Sequence, residues 1–242
     1  MKQRIQKVLS EQGICSRRAA ERMIEQGLVR INGRPAKIGD QIELTDVVSI
    51  EGRRVYFKKR NPKVCYALYK PRGILTAMSD DRDRVCVNEL VADVGVRLFP
   101  IGRLDKDSEG LLLMTNDGEL ANAVMHPSRK VGKTYRVSVA PGVNEEQLIA
   151  LTGGVRLDDG YVTQPAVIRV TDNAADRAVL EMTIYEGKNR QIRRMCEAVG
   201  LTVKRLKRTA VGPIRLGGLT AGKYRELTRQ ELTALWNATG TR

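Results

Sequence analysis

The chain has 242 residues, of which 42 are Lys or Arg and 28 are Asp or Glu, and its formal net charge at pH 7 is +14. Its hydrophobic fraction of 42% is typical of a protein with a buried core, and we find neither an apolar run long enough to cross a membrane nor a secretory signal. The single histidine, His126, and four scattered cysteines argue against a metal site and a disulfide framework, so we expect a cytoplasmic protein.

The positive charge is concentrated in two stretches. Residues 1–60 have 14 Lys or Arg against 7 Asp or Glu, and residues 188–208 have 8 against 1, so the rest of the chain is neutral. Two basic zones are typical of a protein that contacts a polyanion at two places, and we expect nucleic acid; an evenly basic, solvated surface is the alternative. The basic stretches lack a face rich in Trp and Phe, which disfavours a membrane as the partner.

The first 50 residues are predicted to form two helices followed by a hairpin. A helical spacing of apolar residues begins at Ile5 and stops at Gly13. Ser16 is expected to cap a second helix, and Asn32-Gly33 is a strong hairpin signal after the strand at 28–31.

Short strands at 41–44 and 47–50 are predicted to complete this module. The basic, apolar-poor stretch 53–63 is a predicted linker. We therefore divide the chain into an N-terminal domain with its linker, residues 1–60, and a larger domain, residues 61–242.

The larger domain is predicted to mix strands with a few helices. Strands are expected at 65–69, 111–115, 134–140, 167–170, 179–185 and 201–206. Helices are expected at 119–125, 145–151, 190–199 and 229–237, and the second and fourth of these begin with capping-box pairs. This pattern indicates an α+β fold with a mixed, mainly antiparallel sheet.

The stretch 102–110 has acidic residues at alternate positions, Asp105, Asp107 and Glu109, between two glycines and before an apolar strand. It begins like an EF-hand calcium loop, but the twelfth position is Asn116 rather than Glu, and apolar residues fill ligand positions. A glycosidase-like carboxylate pair is unsupported, because alternate residues of an extended loop point to opposite sides. A charged turn before a buried strand is the remaining alternative.

Chemistry in this chain would depend on carboxylate, Tyr, Lys or Arg side chains. One histidine restricts Ser-His or Cys-His catalysis to His126, and no Gly-x-Ser-x-Gly motif accompanies it. Neither of the common glycine-rich nucleotide-binding motifs is present. We therefore expect no nucleotide or other cofactor.

The N-terminal module resembles the small RNA-binding domain named after ribosomal protein S-four, through residues 4–9, 15–20 and 27–33. Arg17 and Arg18 follow the expected capping residue of the second helix, so their guanidinium groups lie beside the unpaired N–H groups of its N-terminus. This arrangement suits a phosphate, although a solvated first turn would by itself explain the two arginines. RNA contacts are expected from the polar and basic residues of its two helices, namely Arg4, Lys7, Ser16, Arg17 and Arg18.

Four ordered motifs of the larger domain resemble the RsuA/RluB branch of the pseudouridine synthases. They are Tyr69-Lys70-Pro71-Arg72-Gly73, the stretch 102–112, Lys133-Thr134-Tyr135 and the stretch 186–195. The resemblance implies the pseudouridine synthase fold, a mainly antiparallel sheet with flanking helices. It also implies that a uridine in ribosomal RNA is isomerised: the bond between ribose C1′ and uracil N1 breaks, the base turns, and C1′ is rejoined to C5. Such a reaction requires no cofactor.

The resemblance further assigns roles to individual residues. Asp105 would be the catalytic carboxylate, whether it attacks the sugar, attacks the base or deprotonates the ribose. Arg193 would pair with Asp105 and keep it ionised, and Tyr135 would stack against the target base. Arg103 would fill the gap left by the flipped uridine. The alternatives are a phosphate contact for Arg193 and a half-buried strand tyrosine for Tyr135.

Further RNA contacts are expected from basic residues of the larger domain, namely Lys70, Arg72, Lys188, Arg190 and Arg194. His126 is expected to be structural.

Three functional hypotheses follow. The first is a ribosomal RNA pseudouridine synthase that acts as a monomer on ribosomal RNA or a subunit assembly intermediate. Residues 126–129 and 133–135 resemble the RluB-like members, which modify large-subunit RNA, more than the RsuA-like members. A small-subunit RNA substrate, as for the RsuA-like members, is the alternative. The second is a non-enzymatic ribosome-assembly protein that uses the same basic surfaces. The third, an RNA glycosidase or nuclease, would require a second positioned carboxylate or a histidine.

Overall fold

The computed structural model describes residues 2–57 and 61–240, which form two compact units. The first unit comprises Met1–Pro62 together with Val94–Arg97, and the second comprises Lys63–Asp93 and Leu98–Arg242. The short return Val94–Arg97 was not predicted. It is attached to the first unit by Arg97, whose Nη1 donates a hydrogen bond to the Cys15 carbonyl at 2.8 Å.

The first unit contains the predicted pair of helices and hairpin. Its elements are β1 (Gln3–Arg4), α1 (Ile5–Glu11), α2 (Arg17–Glu25), β2 (Val29–Ile31), β3 (Arg34–Pro35), β4 (Gln41–Ile42), β5 (Val48–Ile50) and β6 (Arg53–Val55). Ser16 caps α2 as predicted, because its Oγ accepts a hydrogen bond from the Ala19 N–H at 3.1 Å. Strands β3, β2, β5 and β6 form an antiparallel sheet in that order.

The linker predicted at 53–63 is wrong at its start. Residues Arg53–Val55 form β6, which pairs with β5 because the chain reverses at Glu51 and Gly52, both with positive φ. Apolar content was a poor guide here, since an edge strand is held by backbone hydrogen bonds. The most basic part of the predicted linker, residues 58–60, lies outside the described residues.

The second unit has one large sheet and four helices in its described part. Its elements are β7 (Cys65–Lys70), β8 (Phe99–Ile101), β9 (Glu109–Thr115), α3 (Gly118–Met125), β10 (Lys133–Ala140), α4 (Glu145–Gly153), β11 (Val167–Ala174), β12 (Arg177–Ile184), α5 (Gln191–Ala198), β13 (Thr202–Val211), β14 (Ile214–Arg215), β15 (Tyr224–Glu226) and α6 (Arg229–Ala238). Short 3-10 helices cover Glu89–Val94 and Pro127–Arg129. None of the described helices could span a membrane.

Most of these elements were predicted, and their ends have local causes. Both capping boxes form: the Asn144 side chain caps α4 and that of Thr228 caps α6. In each box the side chain of the third helical residue accepts a hydrogen bond from the N–H of the capping residue. The three short strands β8, β14 and β15 were missed, because two or three residues are too few to show a periodic pattern.

The large sheet is mixed and mainly antiparallel, as predicted. Its order is β11-β12-β10-β13-β9-β7-β15, with β14 paired to β13 and β8 to β9, which makes nine strands among the described residues. All strand pairs are antiparallel except β9 and β13, which run parallel where Glu109 lies opposite Lys207 and Gly110 opposite Arg208. The sheet therefore consists of two antiparallel halves joined by one short parallel contact.

Glycine is required at this junction. Gly110 has a φ of +106°, and a Cβ there would lie 2.2 Å from the Arg208 carbonyl oxygen. Helices α3 and α6 cover the adjoining β7 and β9, and they bury Leu111, Leu113, Leu120 and Leu235 between them. The junction is thus close-packed on its core side, and the chain enters it directly from the stretch 102–110.

Candidate active site

The acidic loop, residues 102–110, leads from the end of β8 into the first two residues of β9, and it is held by hydrogen bonds to its backbone carbonyls. Six consecutive carbonyl groups, those of residues 103–108, each accept a hydrogen bond. The donors, in order, are Arg208 Nη1 (3.4 Å), Thr76 Oγ1 (2.6 Å), Ser108 N (3.1 Å), Gly73 N (2.7 Å), Arg193 Nη2 (3.3 Å) and Lys70 Nζ (2.8 Å). A loop with every one of these carbonyls bonded has little conformational freedom left, which suits a site that must hold a reacting group in place.

One of these donors, Lys70, is a fully buried cation. Burial lowers its pKa to about 8, although the charges of Asp105 and Asp107 oppose the decrease. Its ammonium group donates to the carbonyls of Pro71 and Ser108. The predicted RNA contact of Lys70 is therefore wrong: the ammonium binds the protein's own backbone and has no exposed surface.

The three acids of the loop are distinguished by their partners. Asp107 and Glu109 each form ion pairs, whereas the carboxylate of Asp105 makes no hydrogen bond or ion pair with any described residue. Asp105 is half-buried and lines a pocket of about 660 Å³. The other lining residues are Arg72, Gly73, Leu75, Arg103, Leu104, Lys106, Asp107 and Arg190. An unpaired carboxylate at such a pocket is available to a ligand.

Asp107 connects the acidic loop to helix α5. Its carboxylate lies 3.2 Å from Arg190 Nη1 and 3.2 Å from Arg193 Nη2. Burial raises the pKa of Asp107, but the charges of Arg193 and Arg190 outweigh burial and bring the pKa below its ordinary value. Arg190 is the residue that precedes α5 and Arg193 lies in the first turn of that helix, so both are near enough to contact one carboxylate.

The structure pairs Arg193 with Asp107, and the predicted pair with Asp105 is not formed among the described residues. Arg193 contacts Asp107 twice, at its carboxylate and at its carbonyl oxygen. The sequence could not distinguish two aspartates that lie two positions apart in a loop. Their side chains were separated only by the loop's tertiary hydrogen bonds.

The carboxylate of Glu109 is held by protein side chains. Its carboxylate accepts hydrogen bonds from Arg205 Nε at 2.6 Å and from the Tyr69 hydroxyl at 2.7 Å. The hydrogen bond from Arg205 lowers the pKa of Glu109 against the opposing effect of burial. Lys207 lies over the Tyr69 ring, 4.8 Å from its centre.

Tyr135 lies in β10, largely buried and opposite Arg208 of β13. Its hydroxyl oxygen is 3.5 Å from Arg208 Nη1, and the Arg208 guanidinium carbon is 6.0 Å from the ring centre. Arg208 is itself buried, and it was missed as a site residue because the whole stretch 188–208 was expected to face phosphates. Within that stretch, Arg205, Lys207 and Arg208 all contact protein groups.

The remaining predicted RNA contacts lie in several different environments. Arg72, Arg103 and Arg190 line the pocket, and Arg4, Arg17 and Arg18 of the first unit are exposed. Arg194 forms ion pairs with Asp158 and Asp159, and Lys188 lies over the Tyr161 ring at 4.3 Å. Arg194 is thus paired with two protein carboxylates, and its expected contact with a phosphate stays a prediction.

His126 has a structural contact, as expected. Its ring Nδ1 lies 2.7 Å from the Ser128 hydroxyl oxygen and accepts a hydrogen bond from the Ser128 N–H. These bonds fix the turn that follows α3.

Comparisons with known proteins agree with this architecture. A family model for RNA pseudouridylate synthases matches residues 64–198, and an S4 domain model matches residues 3–48. The ribosomal large subunit pseudouridine synthase B of Bacillus subtilis is 41% identical over 236 residues, which cover 96% of this chain and 95% of that protein. The dual-specificity RNA pseudouridine synthase RluF of Escherichia coli is also 41% identical, over 96% of this chain and 78% of that protein.

A solved structure shows the same fold. The crystal structure of a pseudouridylate synthase is 30% identical, has a TM-score of 0.70, and matches 96% of this chain and 99% of its own. The resemblance to the RsuA/RluB branch and the N-terminal S-four-type module are both confirmed.

Proposed function

Since the chain belongs to the RNA pseudouridylate synthase family and carries an S4 domain, we propose that it converts one uridine of large-subunit ribosomal RNA to pseudouridine, with Asp105 as the catalytic carboxylate. The observation that carries this proposal is the unpaired carboxylate of Asp105, which lines a pocket while the two neighbouring acids are held in ion pairs. The large subunit is favoured by the B. subtilis relative, which matches over almost its whole length.

The chemistry requires one carboxylate and no exchange of electrons with a cofactor. The C1′–N1 bond breaks, a C1′–C5 bond forms, C5 loses its hydrogen and N1 gains one, so product and substrate have the same atoms. Asp105 can serve this reaction as a nucleophile toward the sugar or the base, or as the base that deprotonates the ribose. In each route its oxygen must reach the substrate, and the absence of a competing ion pair among the described residues supports that role.

The pocket also has groups suited to a flipped nucleotide. Its volume of about 660 Å³ admits a single nucleoside, and removing a base from the stack costs a few kcal/mol, least in a loop or bulge. Arg103 is exposed at the pocket, so its planar cation can occupy the space that the base leaves. Tyr135 is largely buried and does not line this pocket, and we propose that the flipped uracil stacks against its ring.

Phosphate contacts are proposed at two places. Arg72, Lys106 and Arg190 surround the pocket and suit the phosphates next to the target uridine. In the S4 domain, the exposed Arg17 and Arg18 lie at the N-terminus of α2, where the helix dipole favours an anion.

Carbodiimide mapping of pseudouridine in both ribosomal RNAs tests the proposal. The strains to compare carry the intact gene, a deletion, Asp105→Asn, or Asp176→Asn as a matched control at an exposed turn. We expect one large-subunit stop to be absent from the deletion and Asp105→Asn strains and present in the control. A missing small-subunit stop would transfer the activity to that RNA, and unchanged maps would favour the assembly-protein hypothesis.

A further inference from the structure

Arg208 lies where the two halves of the large sheet meet. Its residue in β13 is paired with Gly110 of β9 on one side and with Tyr135 of β10 on the other. The side chain is 3% exposed, so it is a guanidinium buried in the interior of the second unit. A charge in such a place must be held by several hydrogen bonds or it destabilises the fold.

The guanidinium contacts three separate parts of the site. Its Nε donates to the Leu111 carbonyl in β9 at 2.7 Å, and its Nη1 lies 3.4 Å from the Arg103 carbonyl in the acidic loop. The same Nη1 lies 3.5 Å from the Tyr135 hydroxyl. The Arg208 side chain therefore contacts the acidic loop, the strand that follows this loop, and Tyr135.

We propose that Arg208 is a positioning residue for the isomerisation, which holds Tyr135 at a fixed distance from the acidic loop that carries Arg103 and Asp105. This inference rests on the proposed function. Arginine has only donors, so the Tyr135 oxygen is the acceptor of this bond and its own O–H is left to donate elsewhere. A lysine would keep the charge but lose the planar fork that reaches three acceptors.

A packing role alone does not account for this residue. Nη2 of Arg208 is buried and has no hydrogen-bond partner among the described residues, which is an unfavourable arrangement in a protein interior. An apolar side chain would fill the same space without that cost. The guanidinium is explained by the groups that it brings together.

Two measurements on the full chain test the inference. The first is tritium release from [5-³H]uridine-labelled large-subunit ribosomal RNA isolated from cells that lack the gene, with enzyme in excess, because the reaction displaces the hydrogen at C5. The second is the ¹³Cζ NMR signal of Tyr135 in protein labelled at tyrosine, assigned by its disappearance in Tyr135→Phe. The variants are Arg208→Lys and Arg208→Met, with Arg225→Lys as a control for an ion-paired arginine in another strand.

We expect Arg208→Lys to shift the Tyr135 signal and to lower the single-turnover rate constant by about 10²-fold, as for a misplaced catalytic group. RNA affinity should stay near that of Arg225→Lys, whereas the melting temperature should be lower than that of the control, because the lysine gives up hydrogen bonds of a buried cation. If Arg208→Met fails to fold, the lysine variant alone decides the question.

The inference is overturned if the Tyr135 signal does not move, or if the rate of Arg208→Lys equals that of the control. It is also overturned if affinity and rate fall together. Wild-type protein that releases no tritium would instead contradict the proposed function, and the inference would fail with it.

Discussion

At the scale of single residues, the acidic loop shows how partners separate chemically equivalent side chains. Asp107 is neutralised by Arg190 and Arg193, and Glu109 by Arg205, so neither carboxylate can approach a substrate without breaking ion pairs. Asp105 has no such pair among the described residues and lines the pocket. The selection of one acid among three is thus made by cations from two other elements, α5 and β13.

Asp105→Asn is expected to abolish isomerisation and to leave RNA affinity within a few fold of wild type. The substitution removes the negative charge of the reactive carboxylate but no contact with a phosphate. The hydrogen bonds to the loop carbonyls, which fix the backbone, are unaffected. Carbodiimide mapping measures the activity and filter binding measures the affinity. A large decrease in binding would show that Asp105 contributes to RNA recognition rather than to chemistry.

The buried Lys70 predicts a pH dependence of stability. Its pKa is lowered to about 8 in the folded protein and returns to about 10.4 on unfolding, so between these values the unfolded chain binds more protons. The contribution of Lys70 to the free energy of unfolding therefore rises with pH across this interval, by at most about 1.4 kcal/mol per pH unit. Below pH 8 the lysine is charged in both states and its penalty is constant.

The measurement compares urea unfolding of wild type and Lys70→Met from about pH 7 to about pH 10. We expect the stability difference, wild type minus variant, to be flat up to about pH 8 and then to increase. A difference that stays flat over the whole range would contradict the lowered pKa.

At the scale of elements, the site is formed where β9 and β13 run parallel for two residues. This contact brings the acidic loop beside β13 and β10, although about 100 residues of chain separate the loop from β13. The backbones approach so closely that only glycine fits at position 110. Close approach at the junction, rather than flexibility, explains this glycine.

Gly110→Ala is expected to destabilise the protein by about 3 kcal/mol or more, because the new methyl group would collide with the Arg208 backbone and separate the sheet halves. Gly160→Ala is the matched control, since Gly160 also has positive φ but open space around it. Backbone strain alone should cost the control about 1–2 kcal/mol. Equal midpoints in urea unfolding would show that β9 and β13 are not in tight contact.

At the scale of the whole molecule, the chain forms two units, and the first unit is built from two separate segments of the sequence. Val94–Arg97 belongs to the first unit although it is surrounded in sequence by the second. The second unit has its own sheet and its own core of apolar side chains from β7, β9, α3 and α6. It contains the pocket and all of the proposed catalytic residues.

Removal of residues 1–62 is expected to leave the second unit folded and to weaken its binding to ribosomal RNA. The truncation leaves Val94–Arg97 without the groups that it contacts, such as the Cys15 carbonyl, but removes no strand of the large sheet. The slope of log affinity against log salt should become shallower by about 0.7–0.9 for each phosphate that the shortened protein no longer binds. Circular dichroism checks folding, and disappearance of the β signal would show that the units fold only together.

The sequence by itself determined the local elements and the family. Periodic apolar residues, capping residues such as Ser16, Asn144 and Thr228, and the Asn32-Gly33 turn encode structure over a few neighbours, so the helices and the longer strands could be predicted. Only the tertiary structure decided that Lys70 is buried, that Arg193 binds Asp107, and that Arg208 contacts Tyr135. The reason is physical: burial and ion pairing depend on groups that lie far apart in the chain, and no local pattern specifies which of them meet.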